Sequence, residues 1–176
     1  TVTRANTLLD TIEADDQITA HRVEVARDLI DDIARYDHQL AASKRRLTTA
    51  VQASGTTLVD IVGVGPVTAA MIIGQTGDVT RFPTAGHYAS YNATAPIEAS
   101  SGSQHRHRLN PRGNRQLNWA IHVIAICQLR NPGPGRDYYD RKRAEGKSTK
   151  EALRSLKRQV SNVVYRAMLT DARHAH

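Results

Sequence analysis

Apolar residues recur at helical spacing along most of this chain, and the first such stretch is the longest. Residues 5–53 contain neither glycine nor proline, which favours one long helix or two joined helices ending at Ser54-Gly55. Small and apolar residues repeat there every seven positions, at Ala26, Ile33, Leu40 and Leu47. We therefore expect a helical arm over residues 1–54.

A second heptad series in the arm includes charged residues. Its members are Val23, Ile30, Asp37, Lys44 and Val51. Polar residues at seam positions are typical of coiled coils, where they cost stability but set register and partner. The arm is thus predicted to be a coiled-coil helix or a helical hairpin that joins copies of the chain into a homodimer or higher homo-oligomer. The alternative is a long helix packed on the rest of its own chain.

A Gly-x-Gly pattern follows the arm between two short apolar segments. Residues 58–62 form the first apolar helix, Gly63 and Gly65 interrupt it, and Pro66 suits the first turn of the next helix. The pattern predicts a helix-hairpin-helix motif over 57–77, in which backbone N–H groups and a helix N-terminus approach a DNA phosphate. A plain helical corner, in which glycine permits close packing, is the alternative.

The rest of the chain also shows helical spacing. A short helix begins after Thr84, an irregular but ordered loop covers 92–112, and an apolar helix covers 113–129. A short basic helix over 136–145 comes next. No strand alternation of useful length occurs, so the patterns predict an all-α fold with a compact helical domain over 55–176.

The last helix is predicted to begin at a capping box. Ser148 and Glu151 have the spacing of that motif. The buried stripe of the helix is expected at Leu156, Val160, Val163 and Ala167.

Charge is distributed unevenly along the chain. The formal net charge is +7, with −2 over residues 1–54 and +9 over residues 55–176. This asymmetry is typical of a nucleic-acid binder. Aromatic residues make up 5% of the chain, so stacking on bases is not expected to dominate recognition.

Candidate nucleic-acid contacts lie mostly in the last two helices. Besides Gly63, Gly65 and Arg115, they are Arg141, Lys142, Arg143, Lys150, Arg154, Lys157 and Arg158. On the final helix, the four basic residues are expected outside the buried stripe, available to phosphates.

Cysteine usage and hydropathy exclude several classes of protein. Cys127 is the single cysteine of the sequence, so no disulfide framework and no thiolate metal site are expected. No apolar run approaches a membrane span, and no signal-peptide core is present near Thr1. We expect no membrane partner and a cytoplasmic location.

The most informative chemistry lies in the loop between Pro96 and Asn114. Ser101 precedes Gly102, whose backbone freedom permits close approach by a substrate. A serine hydroxyl becomes a nucleophile when a base takes its proton. The candidate bases and charge-neutralising groups are His105, Arg106, His107, Arg108 and Arg112, with Asn114 and Arg115 placed to bind phosphate oxygens.

Residue chemistry alone does not choose the nucleophile. Ser100, Ser101 and Ser103 are equivalent by this reasoning, and a flexible loop with solvated basic residues is the alternative. A serine hydrolase is disfavoured because the chain has no G-x-S-x-G elbow and no sheet to carry one.

Several separated motifs resemble one known family. They are F-P-T-A-G-H-Y-A-S-Y-N-A-T-A-P-I-E-A-S-S-G, then R-G-N-R-Q-L-N, then Y-Y-D-R-K-R-A-E-G-K with the final helix. In this order they resemble bridge-RNA-guided transposases of bacterial insertion sequences, the 110/116/902 insertion-sequence group. The resemblance covers about residues 57–169, and the arm is similar to the coiled coil of that family.

The resemblance assigns roles to particular residues. It places the catalytic serine five residues after Pro96, at Ser101, where attack on a DNA phosphodiester gives a 5′-phosphoserine-type link. Arg112, Gly113 and Asn114 match the family's basic residue and Gly-Asn turn. Many members have Leu-Arg after this turn, whereas this chain has Asn118 after Leu117, so the resemblance does not carry the family's phosphate contact over to position 118.

The resemblance also implies partners and a metal. DNA and a bridge RNA are the expected partners, and the family's N-terminal DEDD domain carries Mg²⁺ on its carboxylates. No such strand-rich domain precedes the arm in this sequence, so we expect no metal or cofactor in this chain. We interpret the chain as a truncation that binds nucleic acid but does not cleave it alone. The alternative function is a non-catalytic helix-hairpin-helix module that binds DNA and dimerises.

Overall fold

A computed structural model describes residues 1–98, 107–108 and 113–174, with residues 97–98 and 107–108 described by their backbone alone. The elements in chain order are α1 (Val2–Leu9), α2 (Gln17–Ala53), a 3-10 turn (Thr57–Asp60), α3 (Pro66–Thr76), a 3-10 turn (Val79–Arg81), α4 (Ala85–Tyr91), β1 (Ile97–Glu98), β2 (His107–Arg108), α5 (Arg115–Arg130), α6 (Pro134–Ala144) and α7 (Thr149–His174). The predicted all-α class is confirmed. The chain divides into two compact units, Thr1–Leu47 and Thr48–His176.

The first unit consists of α1 and most of α2. Asp16 caps α2, because its carboxylate accepts hydrogen bonds from the backbone N–H and the hydroxyl of Thr19. Arg27 of α2 forms an ion pair with Asp10, which follows α1, at 2.8 Å. The long N-terminal helix is therefore confirmed, in the form of two joined helices. Ile33 and Leu40 of the first heptad series are exposed in this single copy, and self-association stays a prediction.

The second unit begins with the last turns of α2. Val51 is buried there, and α7 packs against the 3-10 turn that follows. Asp171 near the end of α7 accepts hydrogen bonds from the Thr56 hydroxyl at 2.7 Å and from the Thr57 hydroxyl at 2.7 Å. Its carboxylate also accepts the backbone N–H of Thr57. The carboxylate thus joins the start of this turn to a segment more than a hundred residues away in sequence.

The core of the second unit forms around α7, which packs against α4, α5 and α6. The α5 residues Leu117, Ala120, Ile121 and Ile124 are fully buried. Aromatic rings also pack in this core, where Tyr88 of α4 and Tyr165 of α7 stack at a centroid distance of 5.5 Å. Burial of this apolar surface is the main term that holds the unit together.

Three details differ from the sequence prediction. The first segment of the predicted hairpin motif is a single 3-10 turn rather than an α-helix. The segment predicted as irregular contains a two-residue antiparallel pairing, of Ile97 with Arg108 and of Glu98 with His107. Val163 is exposed, and Val164 takes its place in the buried stripe of α7, because the helix presents its next residue to α4 and α5.

Candidate functional site at the base of the serine loop

The two ends of the 92–112 loop, which we call the serine loop, meet where α4 ends and α5 begins. The backbone N–H of Asn114 donates to the carbonyl of Tyr91 at 2.7 Å. The Asn114 side chain caps α5 by accepting from the N–H of Leu117 at 2.9 Å, and it donates to the side-chain oxygen of Gln75 at 2.8 Å. Asn114 therefore joins α3, α4 and α5 at one point.

Gly113 and Ala93 form the tightest contact at this base. Ala93 has a φ of +59°, in the left-handed region. A β-carbon on residue 113 would lie 2.5 Å from the Ala93 β-carbon and 2.7 Å from the Ala93 backbone nitrogen. Position 113 therefore requires glycine for steric reasons, since the neighbouring atoms belong to the backbone.

Asn92 is the buried centre of the base. Its side-chain nitrogen donates to the Ser161 hydroxyl on α7 at 2.7 Å, and both residues are fully buried. Its side-chain oxygen accepts from the N–H and the hydroxyl of Thr94. Its carbonyl oxygen accepts from the side chain of Asn118 on α5 at 2.8 Å. Fully bonded buried amides of this kind hold a backbone in one conformation.

A half-buried lysine extends the same network. The Lys157 ammonium on α7 donates to the side-chain oxygen of Asn118 at 2.8 Å. Burial lowers the pKa of Lys157, and burial together with the positive charge of Lys157 lowers the pKa of His122. Within the described part of the chain, Lys157 has no ion pair with a carboxylate. Lys157 thus places a cation beside position 118, where the family resemblance expects an arginine.

Arg158 lies on the adjacent side of α7. One guanidinium N–H donates to the carbonyl of Ala85 at 3.2 Å, and burial lowers the pKa of the group. Both Lys157 and Arg158 are half-buried, whereas Lys150 and Arg154 are exposed. All four lie outside the buried stripe of α7, but Lys157 and Arg158 are partly covered by the helix packing, and their availability to phosphates stays a prediction. Their long side chains lie along α5 and α4.

A third cation stacks against the base. The Arg81 guanidinium lies 4.5 Å from the ring centre of Phe82 and 4.7 Å from that of Tyr91. A hydrogen bond from Asn114 lowers the pKa of the Tyr91 hydroxyl, and Arg81 lowers it further. Burial raises this pKa, but by less. Cations from α7 and from the 3-10 turn Val79–Arg81 thus lie beside the base of the loop.

The predicted chemical residues fall mostly beyond what the structure describes. Ser101, Gly102, His105, Arg106 and Arg112 lie outside the described residues. His107 and Arg108 are described by their backbone pairing with residues 97 and 98. The role of each remains a prediction. The residues that flank this stretch are described, and Tyr91 on one side bonds to Asn114 on the other.

The predicted hairpin glycines have different surroundings. Gly63 has a φ of +91°, and a β-carbon there would lie 3.0 Å from the β-carbon of Cys127 and 3.1 Å from the carbonyl oxygen of Ile124. Close packing on α5, the alternative interpretation, accounts for this glycine. Gly65 precedes α3 and has open space beside it.

The other predicted basic contacts lie on α5 and α6. Arg115, Arg141 and Arg143 are exposed. Lys142 forms an ion pair with Glu145 at 2.6 Å. This pairing makes the Lys142 ammonium less available to a phosphate.

The described residues offer no metal centre and no membrane span. Among them, no group of three or more His, Cys, Asp or Glu side chains is placed to hold a metal ion. No helix in the described ranges is long and apolar enough to cross a membrane.

Periodicity did not identify several residues of this site. Asn92, Asn118 and Ser161 were not predicted as functional, because isolated polar residues in apolar stretches give no periodic signal. One local signal exists, since an Asn two residues before a Thr is typical of an Asx turn. It indicates the turn at Asn92 but not its partner on α7.

Comparison with known proteins gives one consistent result. Residues 55–140 match the model described as the Transposase IS116/IS110/IS902 family. Over 115 residues the chain is 44% identical to the insertion element IS110 uncharacterized 43.6 kDa protein of Streptomyces coelicolor, a match that covers 65% of this chain. It is 39% identical over 112 residues, or 63% of its length, to the insertion element IS116 uncharacterized 44.8 kDa protein of Streptomyces clavuligerus.

A mycobacterial relative gives the same picture. The insertion element IS900 uncharacterized 42 kDa protein of Mycobacterium paratuberculosis is 34% identical over 116 residues, 65% of this chain. The matches span 28%, 28% and 29% of these three relatives, so this chain corresponds to less than a third of each. Over the matched residues, the chain is therefore similar to this transposase family.

Proposed function

We propose that this chain is the DNA-handling part of an insertion-sequence transposase, the premise being the match of residues 55–140 to that family. The observation that supports a site at the serine loop is the set of hydrogen bonds made by Asn92 and Asn114 at its base, which we call the clamp. Asn92 and Asn114 join the two ends of the loop to α3, α5 and α7. Such a clamp fixes the two ends of the segment that carries the proposed nucleophile.

The proposed chemistry is transesterification at a DNA phosphodiester. The Ser101 hydroxyl forms a bond to phosphorus, the bond from phosphorus to the 3′-oxygen breaks, and the 3′-hydroxyl leaves. The serine proton passes to a base, for which His105 and His107 are the candidates, and the 3′-oxygen takes up a proton. Arg106, Arg108 and Arg112 neutralise the charge that develops on the phosphoryl oxygens.

Guidance and metal binding belong to the finer part of the proposal. A bridge RNA selects the target by base pairing, so this chain makes mainly phosphate contacts. The described residues do not fit a Mg²⁺ site, and we assign the metal to the carboxylates of the family's DEDD domain. The chain by itself is proposed to bind nucleic acid and self-associate through α1 and α2 without cutting DNA.

The nucleophile is tested in the full-length transposase that contains this segment. Ser101→Ala should abolish recombination and leave DNA binding unchanged, because the hydroxyl supplies the bond to phosphorus. Ser100→Ala and Ser103→Ala are matched controls, since their hydroxyls lie in the same loop. Unchanged recombination by the Ser101 variant would favour the non-catalytic DNA-binding and dimerisation module instead.

The inactivity of the isolated chain has its own test. The chain is incubated with bridge RNA, donor DNA, target DNA and Mg²⁺, and covalent protein–DNA adducts are sought on a denaturing gel. We expect none, whereas an adduct mapped to Ser101 would contradict this part of the proposal.

A further inference from the structure

A cleft lies beside the chain as it enters the serine loop. It has a volume of about 380 Å³, and its walls include Thr84, His87, Ser90, Pro96 and Arg158. Pro96 directly precedes β1, the strand that leads toward Ser101. Whatever occupies this cleft therefore contacts the serine loop at its base. We call it the Arg158 cleft.

The charge of the Arg158 cleft is not balanced by a described neighbour. Arg158 forms no ion pair with a described carboxylate, and its one hydrogen bond to protein among the described residues goes to the carbonyl of Ala85. A half-buried guanidinium loses water without gaining a counter-charge. Burial accordingly lowers its pKa. This cost is offset when an anion enters the cleft.

The Arg158 cleft brings several polar residues together with a guanidinium. Thr84, His87 and Ser90 line it, and the Nδ1 of His87 lies 2.8 Å from the Thr84 hydroxyl. A planar guanidinium fork matches the oxygens of a phosphate. The cleft is open toward solvent, as a polymer passing through it requires.

We propose that the Arg158 cleft binds one phosphodiester of a DNA strand and so positions that strand at the base of the serine loop. Arg158 donates to the non-bridging oxygens. This inference rests on the proposed function and adds a phosphate subsite on α4 and α7. It makes Arg158 a substrate-binding residue, with Thr84, His87 and Ser90 lining the same cleft.

The test measures DNA binding by the chain with charge-matched variants. Fluorescein-labelled DNA, single-stranded and duplex, is titrated by anisotropy at several salt concentrations. Arg158→Gln should weaken binding about tenfold, the loss of one charge-assisted contact. It should also reduce the salt slope by about 0.9 on duplex and about 0.7 on single strands. Arg166→Gln removes the same charge from an exposed site on α7 and should have a much smaller effect.

A second pair of variants leaves Arg158 in place. Ser90→Glu adds a negative charge to the cleft wall and should weaken binding at least as much as Arg158→Gln. Ser90→Gln removes the same hydroxyl and adds similar bulk without the charge, so it should weaken binding much less than Ser90→Glu. Circular dichroism checks the fold of each variant. If Arg158→Gln does not fold, the Ser90 pair still decides the question.

Each outcome leads to a separate conclusion. If the parent chain binds DNA and all four variants bind equally well, the cleft proposal is overturned and the proposed function stands. If the parent chain does not bind DNA, both are contradicted. If RNA of the same sequence binds more tightly with the same variant pattern, the assignment to a DNA strand is wrong.

Discussion

Gly113 lies against Ala93 with no room for a side chain between them. A β-carbon at position 113 would be 2.5 Å from the Ala93 β-carbon, and Ala93 itself has a left-handed backbone. One residue further on, Asn114 bonds to Tyr91. The return of the serine loop into α5 is therefore set by direct backbone contact with the residues that begin the loop.

Gly113→Ala should destabilise the second unit by about 1–3 kcal/mol, because the new methyl group overpacks a rigid backbone contact. Gly74→Ala is the control, since Gly74 lies within α3 with open space beside it. That change should stabilise the protein by about 0.5–1 kcal/mol. Urea denaturation measures both. Equal stability of the Gly113 variant and the parent would show that the base of the loop relaxes freely.

Asn92→Ala and Ser161→Ala should each lower the free energy of unfolding by about 1–3 kcal/mol, because each leaves a buried polar partner without its hydrogen bond. The double variant should lose less than the sum, with a coupling of about 0.5–3 kcal/mol. A thermodynamic cycle from chemical denaturation tests this. Strict additivity would contradict a direct bond between the two side chains.

His122 should titrate below the ordinary range of histidine, with burial as the larger cause and the charge of Lys157 as the smaller. The folded protein then holds this proton less tightly than the unfolded chain, so stability falls as the pH drops through the ordinary histidine pKa. NMR titration measures the midpoint. Lys157→Met should raise it, whereas Arg166→Gln should leave it unchanged. A midpoint unaffected by Lys157→Met would place the ammonium away from His122.

Asp171→Ala should destabilise the second unit by about 1–3 kcal/mol. The change removes the acceptor for the hydroxyls of Thr56 and Thr57 and for the N–H of Thr57. Asp28→Asn, a change at an exposed position of α2, should have little effect. Thermal unfolding of both variants gives the comparison, and similar melting temperatures would show that water replaces the lost bonds without cost.

Sequence reasoning was most successful where one local signal decides the structure. The capping box was predicted from Ser148 and Glu151, and the Glu151 carboxylate does accept the backbone N–H of Ser148 at 2.9 Å, while the Ser148 hydroxyl accepts the N–H of Glu151. The cap at Thr84 was also correct. It was less successful for Val163, because adjacent positions on a helix differ by about 100° in direction and the packing of α4 and α5 selects between them.

The all-α class, the long N-terminal helices and the cationic character of the second unit follow from the sequence by itself, since periodicity, caps and charge act over a few residues. The clamp around Asn92, the contact of Gly113 with Ala93 and the half-buried positions of Lys157 and Arg158 were decided by the tertiary structure. Each joins residues far apart in sequence, such as Asn92 and Ser161. No local pattern specifies which distant helix supplies the partner, because packing of the whole core sets that distance.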